Sequence, residues 1–426
     1  MQVALLFWIL FSLCAAQKQK PKKLLVFRPR SRHTADLHPL DSFDVPQIEF
    51  LNLLGAAPDT RFQEAGSVPN AQISRPENAF RTHPYFAHTF SKDMFMVIHD
   101  DNLSVRVDIE ENLELVSKGI LLYGIYDILY ESLTPCCIQS EVPDVLDTNS
   151  ISLSVVDAPY ITKTERSLYI SKLFPFPSPS EADVKCPDEA FHVFTTSVNG
   201  SFIFCRQLRV GMSISRTSTG SIRSLPDPLA KRRPTQGILS KFALHKQFFR
   251  TRTAMEPELA FLMASFALTE GCKTVLDPFC GSCSLLLAAS IQGFEEAFGI
   301  EVSSAALDTK GIYKNYARAG DLKLTLENRN AEYALESNRT FDAIVSDLPY
   351  GMKEVFVSDN YDSAESLLLD IARNRLNPGG RLVYFSAKEI SRKHIGSGDL
   401  KVLHCLKQDM SVTFSRYLMV IEKKKK

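Results

Sequence analysis

"VLDPFCGSCSLLLAAS", Val275 to Ser290, reads as a strand, a glycine-containing turn and a helix in immediate succession. Val275 and Leu276 form the end of a short apolar run, Asp277 closes it, and the leucine-rich helix starts at Ser284. Gly281 lets a ligand approach the backbone N–H groups of the turn, at the positive end of the helix that follows. A zwitterionic or phosphate-bearing ligand fits such a turn. The spacing is not G-x-G-x-x-G, which disfavours a dinucleotide, and no Gly-Lys-Ser/Thr makes it a nucleotide-triphosphate loop.

Working outward from this unit, strands and helices alternate. Strands are expected at Thr274 to Leu276, Ala297 to Ile300, Leu322 to Leu326, Ala343 to Ser346 and Leu382 to Phe385, with helices from Ser284, Ser304 and Ser363. "KVLHCLKQDMSVTFSRYLMVIEK" at the end suggests two antiparallel strands closing one edge. The alternation predicts an α/β domain with a doubly wound, mostly parallel sheet over 251–426. Upstream the pattern is α+β: an opening strand in "KKLLVF", a helix in "DVPQIEFLNLLG" stopped by Gly55, and a second helix-period segment in "LELVSKGILLYGIYDILYES". "AFHVFTTSVNGSFIFCRQL" suggests a hairpin turning at Asn199-Gly200. The division expected is a leader over 1–17, an α+β region over 22–210, a Ser/Thr/Pro/Gly-rich linker over 211–250 and the α/β domain.

Ligands of open α/β sheets bind outside the carboxyl ends of the strands. Asp277, Glu301, Asn330 and Asp347 all fall at such ends. Glu301, about 24 residues beyond Asp277, suits a ribose diol. Asn330 can pair with the amine and a ring nitrogen of adenine. An adenosine carrying an amino-acid tail, S-adenosyl-L-methionine, matches the set.

"FDAIVSDLPYG", Phe341 to Gly351, then supplies chemistry. Pro349 stiffens a ledge behind Asp347 and biases Leu348 to an extended shape. A base amine is conjugated to its ring and is a poor nucleophile. Asp347 and the carbonyl of Leu348 or Pro349 can accept its two hydrogens and turn its lone pair outward, while Tyr350 offers a stacking face. This chemistry needs no metal. The ledge serves a guanine N2 or an adenine N6 equally.

Lysine plus arginine, 49, balance aspartate plus glutamate, 49. A nucleic-acid partner must therefore be held by a local patch, and basic residues gather from Lys231 to Arg252. The terminal lysines from Lys423 read as a solvated tail. Nine cysteines in 426 residues make no disulfide framework and favour a reducing compartment, the cytoplasm. Cys280 and Cys283 form a C-x-x-C without the partners of a zinc site, and a thiol oxidoreductase would leave Asp347 unexplained. "VALLFWILFSLCAAQ" has the apolar core and small-residue end of a signal peptide, without a preceding basic residue, and is short for a membrane span.

"VLDPFCGSCSLL" and "VSDLPYG" resemble motifs I and IV of amino-methyltransferases with a [DNS]-[PL]-P-[YF] signature. "HKQFFRTRTAMEPELAFLMASFALTEGCKTVLDPFCG", "SFDVPQIEFLNLLG", "SKGILLYGIYDILYE" and "CLKQDMSVTFSRYLMVIEK" resemble the catalytic subunits of eukaryotic tRNA (guanine(10)-N2)-methyltransferases. The resemblance implies a Rossmann-like class I methyltransferase domain preceded by an N-terminal and THUMP region for tRNA, and a small zinc-binding activator subunit. It implies cofactor contacts from Asp277, Cys280, Gly281, Glu301 and Asn330. Thr253 and Met255 would cover the cofactor's methionine end, and Asp347, Pro349 and Tyr350 would form the catalytic ledge. Three positions depart from the family: Cys283 for a glycine, Leu348 for a proline and Ala254 for a serine. At the Asn330 position an aspartate is commoner. These departures leave room for an RNA-binding homologue of weak activity.

Overall fold

The computed structural model describes residues 23–27, 37–39, 45–54, 104–107, 113–132, 151–156, 189–195, 202–212, 238–320, 323–349, 356, 358–387, 395, 398–411 and 414–425. The leader, Gly55, the Asn199-Gly200 turn, most of the linker, Tyr350 and Gly351 lie outside the described residues.

The first half contributes strands β1 (Lys23–Phe27), β2 (Leu37–Pro39), β3 (Ser104–Val107), β4 (Leu122–Ser132), β5 (Ile151–Val156), β6 (Glu189–Thr195) and β7 (Phe202–Val210). Helices α1 (Val45–Leu54) and α2 (Leu113–Ser117) lie among them. Six of the strands form one sheet in the order β3-β1-β4-β7-β6-β5, antiparallel except for the β5/β6 pair. The opening strand, helix α1 and the β6/β7 pairing follow the sequence pattern.

"LELVSKGILLYGIYDILYES" does not. Only Leu113–Ser117 is helical, and Leu122–Ser132 is a strand. β4 lies between β1 and β7, and Ile125, Tyr126 and Asp127 are buried in succession. A central strand covered on both faces loses its alternation, and its apolar run then imitates a helix.

The second half contributes α3 (Ile238–Lys241), α4 (Pro257–Ala267), β8 (Thr274–Asp277), α5 (Ser284–Gln292), β9 (Glu296–Ile300), α6 (Thr309–Ala319), β10 (Lys323–Glu327), α7 (Tyr333–Glu336), β11 (Phe341–Asp347), α8 (Ala364–Arg375), β12 (Leu376–Ser386), β13 (Leu400–Ser411) and β14 (Phe414–Lys423). Strands β10-β9-β8-β11-β12 are parallel, and β14 and β13 continue the sheet antiparallel, as the alternation predicts. Helix α6 starts at Thr309 rather than Ser304. Asp308 caps it by accepting from the Gly311 N–H at 3.2 Å, so the segment after Ser304 is spent on a turn. Ser363 is the N-cap of α8, in a capping box with Ser366. The terminal lysines are less free than a solvated tail. Lys423 lies in β14 and donates to the Arg373 carbonyl, while Lys424 donates to Gly398 at 2.6 Å.

The sheet has an eighth strand that its own region does not supply. β2 pairs antiparallel with β13, Leu37 opposite Gln408. Helix α1 then packs on α4 through buried polar contacts. Asn52 donates to the carbonyls of Ser265 and Phe266 at 3.2 and 3.1 Å, and Arg381 donates to the Asn52 carbonyl near the end of α1 and to the Phe266 and Leu268 carbonyls at the end of α4. Those carbonyls are the orphans of a helix C-terminus, which a buried guanidinium satisfies. The Glu49 carboxylate accepts from the N–H groups of Ile120 and Leu121 at 2.7 and 2.8 Å. Strand β2 and helix α1 thus belong physically to the α/β body, and Glu49 ties the α2–β4 turn to it.

Candidate active site

The turn after β8 is built by backbone bonds. The Cys280 N–H donates to Ile300 at 3.0 Å, holding the turn against the end of β9, and Cys283 N–H donates back to Cys280 at 2.7 Å. Gly281 has φ +49° and open space where a Cβ would stand, so its backbone faces an approachable volume. Cys283 also lies in the left-handed region, at φ 60°, the only non-glycine residue to do so among the described residues. Glycine adopts that conformation without a Cβ penalty. Its side chain is fully buried and its sulfur lies 3.5 Å from that of Cys280. The Cys283 thiol and burial hold the Cys280 thiol well above its usual range, which makes it a poor nucleophile.

Glu301 follows β9 and completes the turn. Its Oε2 accepts from the Gly281 N–H at 2.9 Å and its Oε1 from the Ser303 N–H at 2.8 Å. Both oxygens are thereby oriented, and each keeps a second lone pair for a hydroxyl. Asn328 donates to the carbonyls of Glu301 and Val302, locking the segment to β10.

Asp277 is buried at the end of β8, where its Oδ1 accepts from the Phe279 N–H and the Ser346 hydroxyl, both at 3.0 Å. Burial pushes its pKa up to about 7. The two hydrogen bonds oppose the shift, and the charges of Asp347 and Glu301 add to it. Asp277, Glu301 and Asp347 thus form one acidic rim on the neighbouring strands β8, β9 and β11. A ligand carrying positive charge complements it.

Asp347 ends β11, with Leu348 buried and Pro349 half-buried behind it. Its Oδ1 accepts from Arg416 at 3.3 Å. Arg416 comes from β14, crosses the Phe385 ring at 3.8 Å from its centroid, and is steadied by Gln408, which accepts from its Nε at 2.8 Å. Sequence reasoning missed Arg416, Ser346 and Phe385. The available signals were a charged residue inside an apolar strand and a hydroxyl inside the buried "AIVSD" run.

Of the remaining candidates, Asn330 lies beyond the carboxyl end of β10, and Thr253 and Met255 precede α4. Asn330 is exposed. It accepts from the Glu332 N–H at 3.2 Å and lines a polar cleft of about 480 Å³ with Arg329, Tyr333 and Asn360. Thr253 is exposed and 3.3 Å from the Thr251 hydroxyl, while Met255 is buried in the main core with Tyr316. No helix among the described residues is long and apolar enough to cross a membrane.

Residues 245–405 match the family described as an RMKL-like methyltransferase domain. A tRNA (guanine(10)-N2)-dimethyltransferase of Methanothermobacter thermautotrophicus is 24% identical over 182 residues, 42% of this chain and 52% of that protein. The tRNA (guanine(10)-N(2))-methyltransferase TRMT11 of Gallus gallus is 25% identical over 242 residues, 44% of this chain and 50% of that one. TrmN from Thermus thermophilus aligns with 94% of this chain and 99% of its own at 15% identity, with a TM-score of 0.39. The chain spans about half the length of the two tRNA methyltransferases.

Proposed function

We propose that this chain transfers a methyl group from S-adenosyl-L-methionine to the exocyclic N2 amine of guanine 10 in tRNA. The observation that carries the reading is the acidic rim of Asp277, Glu301 and Asp347 around a glycine turn, inside a matched methyltransferase domain. The names of the similar proteins favour guanine over adenine.

The cofactor supplies an electrophilic methyl on a positively charged sulfur. Glu301 suits its ribose diol and the Gly281 turn its amino-acid tail, with Cys280 shaping the turn. Asn330 would meet the adenine, and Thr253 and Met255 would lie over the methionine end. Asp277 is the group whose charge a cationic ligand restores, because its buried carboxylate otherwise titrates near neutrality.

Asp347 accepts one hydrogen of the base amine and the Leu348 or Pro349 carbonyl accepts the other. A carboxylate has roughly four acceptor positions, so holding Arg416 is compatible with holding the amine. Arg416 fixes the carboxylate before the base arrives, which is the preorganisation that such chemistry depends on. Tyr350 would stack on the extruded base.

The region 22–210 is proposed to hold tRNA in the manner of a THUMP region, with a zinc-binding activator subunit as partner. The described cysteines, Cys205, Cys272, Cys280, Cys283 and Cys405, are free thiols, which supports a cytoplasmic setting. Purified chain, with and without an activator, should methylate unmodified tRNA with labelled cofactor, the product mapped by nuclease digestion and mass spectrometry. Methyl on adenine would replace the guanine reading, and no transfer under either condition would overturn it.

A further inference from the structure

Residues 246–249, the last stretch of the segment expected as a linker, are fastened to helix α6 like a strap. Arg318 donates to the Lys246 carbonyl at 2.8 Å. Asn315, buried, accepts from the Phe248 N–H at 2.7 Å and donates to the Phe249 carbonyl at 2.8 Å. Phe249 lies so close over Gly311 that a Cβ there would stand 2.4 Å from it.

These contacts fix a direction. The chain leaves the carboxyl end of β9 and enters α6, so Gly311 is at the rim end of the helix and Arg318 at the far end. The strap meets Arg318 first and Gly311 last, so it climbs toward the rim and continues into Thr253 and Met255.

The clamp has an unusual product. It buries the backbone partners of Phe248 yet leaves the ring outside, 61% exposed. Lys314 stands 5.9 Å from that ring, while Tyr313, 46% exposed, turns toward β10 and bonds the Leu324 carbonyl at 3.2 Å. Arg250, Arg252 and Lys310 are exposed on the same strap and helix. The acid nearest in sequence on this helix, Asp308, is engaged in capping it.

We propose that this face is the approach track of the RNA. Lys310, Lys314, Arg250 and Arg252 would follow phosphates toward the rim, and Phe248 would stack an unpaired base. The inference rests on the RNA substrate assigned above. It goes further by placing RNA on the α/β body itself, at residues outside the acidic rim. A protein partner fits less well, because interface cores are depleted in charge, whereas aromatic rings among cations are what single-stranded nucleic acid needs.

The test uses the full chain with two probes, an unmodified tRNA transcript and a short single-stranded oligonucleotide. In the Lys310→Glu/Lys314→Glu variant, tRNA affinity should fall about tenfold or more near 0.1 M salt, and its salt slope should flatten by about two. Phe248→Ala should weaken the oligonucleotide roughly five- to a hundredfold, with Phe248→Trp restoring it. Melting temperature and cofactor affinity should stay at wild-type values. Unchanged RNA affinity and slope in both variants would overturn the inference. So would loss of a bound protein partner while RNA affinity is kept. Wild type that binds RNA through this face without methylating it would leave the track standing and remove the reaction.

Discussion

Arg416 and Asp347 meet at 3.3 Å although they lie on strands that are not neighbours, with Phe385 of the intervening strand beneath the guanidinium. The arginine is 8% exposed at its side chain and lies beyond the residues matched by the methyltransferase-domain family. Arg416→Met should leave cofactor affinity within a factor of about two. It should lower the methyl-transfer rate about tenfold or more, since Asp347 loses the group that orients it. Arg416→Lys should recover part of the rate. Single-turnover methylation with calorimetric titration reads both, and an unaltered rate in the methionine variant would remove Arg416 from the mechanism.

Asp347 itself is best tested with two substitutions. Asp347→Asn keeps an acceptor for Arg416 and should cut transfer by roughly 10² or more. Asp347→Ala should do the same and also destabilise the fold by about 1–3 kcal/mol, because a nearly buried guanidinium loses a partner. Thermal melts of the pair separate the effects. Full activity in either variant contradicts a catalytic Asp347.

Glu301 is oriented by two backbone N–H groups before any ligand arrives. Glu301→Ala should weaken S-adenosyl-L-methionine binding by about 1–3 kcal/mol, through the lost diol contact and the loosened Gly281 turn. Calorimetry on the purified protein measures it. Equal affinities place the ribose elsewhere.

Cys283 supplies a conformational test. Its φ of 60° costs a non-glycine residue about 1 kcal/mol, while its buried thiol contributes packing of similar size. Cys283→Gly should therefore change stability by less than about 1 kcal/mol and keep cofactor affinity. Cys283→Val, β-branched, should destabilise clearly, because such side chains tolerate positive φ poorly. Denaturant titration of both variants checks the order, and a stable valine variant would contradict it.

Asp277 makes stability depend on pH. Its folded pKa of about 7 lies above the ordinary aspartate value of about 3.9, so the folded state holds the proton longer than the unfolded chain. The ligand-free protein should lose stability as pH rises from about 4 to 7, by up to about 4 kcal/mol from this group, with the penalty complete above that window. Glu49, also pushed up to about 7 by burial, adds a slope of the same sign. Asp277→Asn should flatten the dependence without abolishing it. A slope identical to wild type in denaturant titrations from pH 4 to 8 would mean that Asp277 is ionised throughout.

The sequence by itself determined the parallel sheet and its antiparallel closing pair. The apolar runs of β8, β9 and β11 are local patterns, and each ends at a residue that cannot be buried without a partner. The same logic placed Asp277, Glu301 and Asp347 at strand ends, because strand direction alone sets which residues reach the rim. The strand β4 escaped it, since burial on both faces erases the period that separates strand from helix. Only the tertiary structure brought β2 to the free edge of β13 and wedged Asn52 and Arg381 against the end of α4. Short strands and buried polar pairs carry little signal along the chain, because their partners lie hundreds of residues away. Arg416 is the clearest case. Within its own strand it is one charge among apolar neighbours. What makes it functional is the β14–β12–β11 order, a fact of sheet assembly that no local spacing encodes.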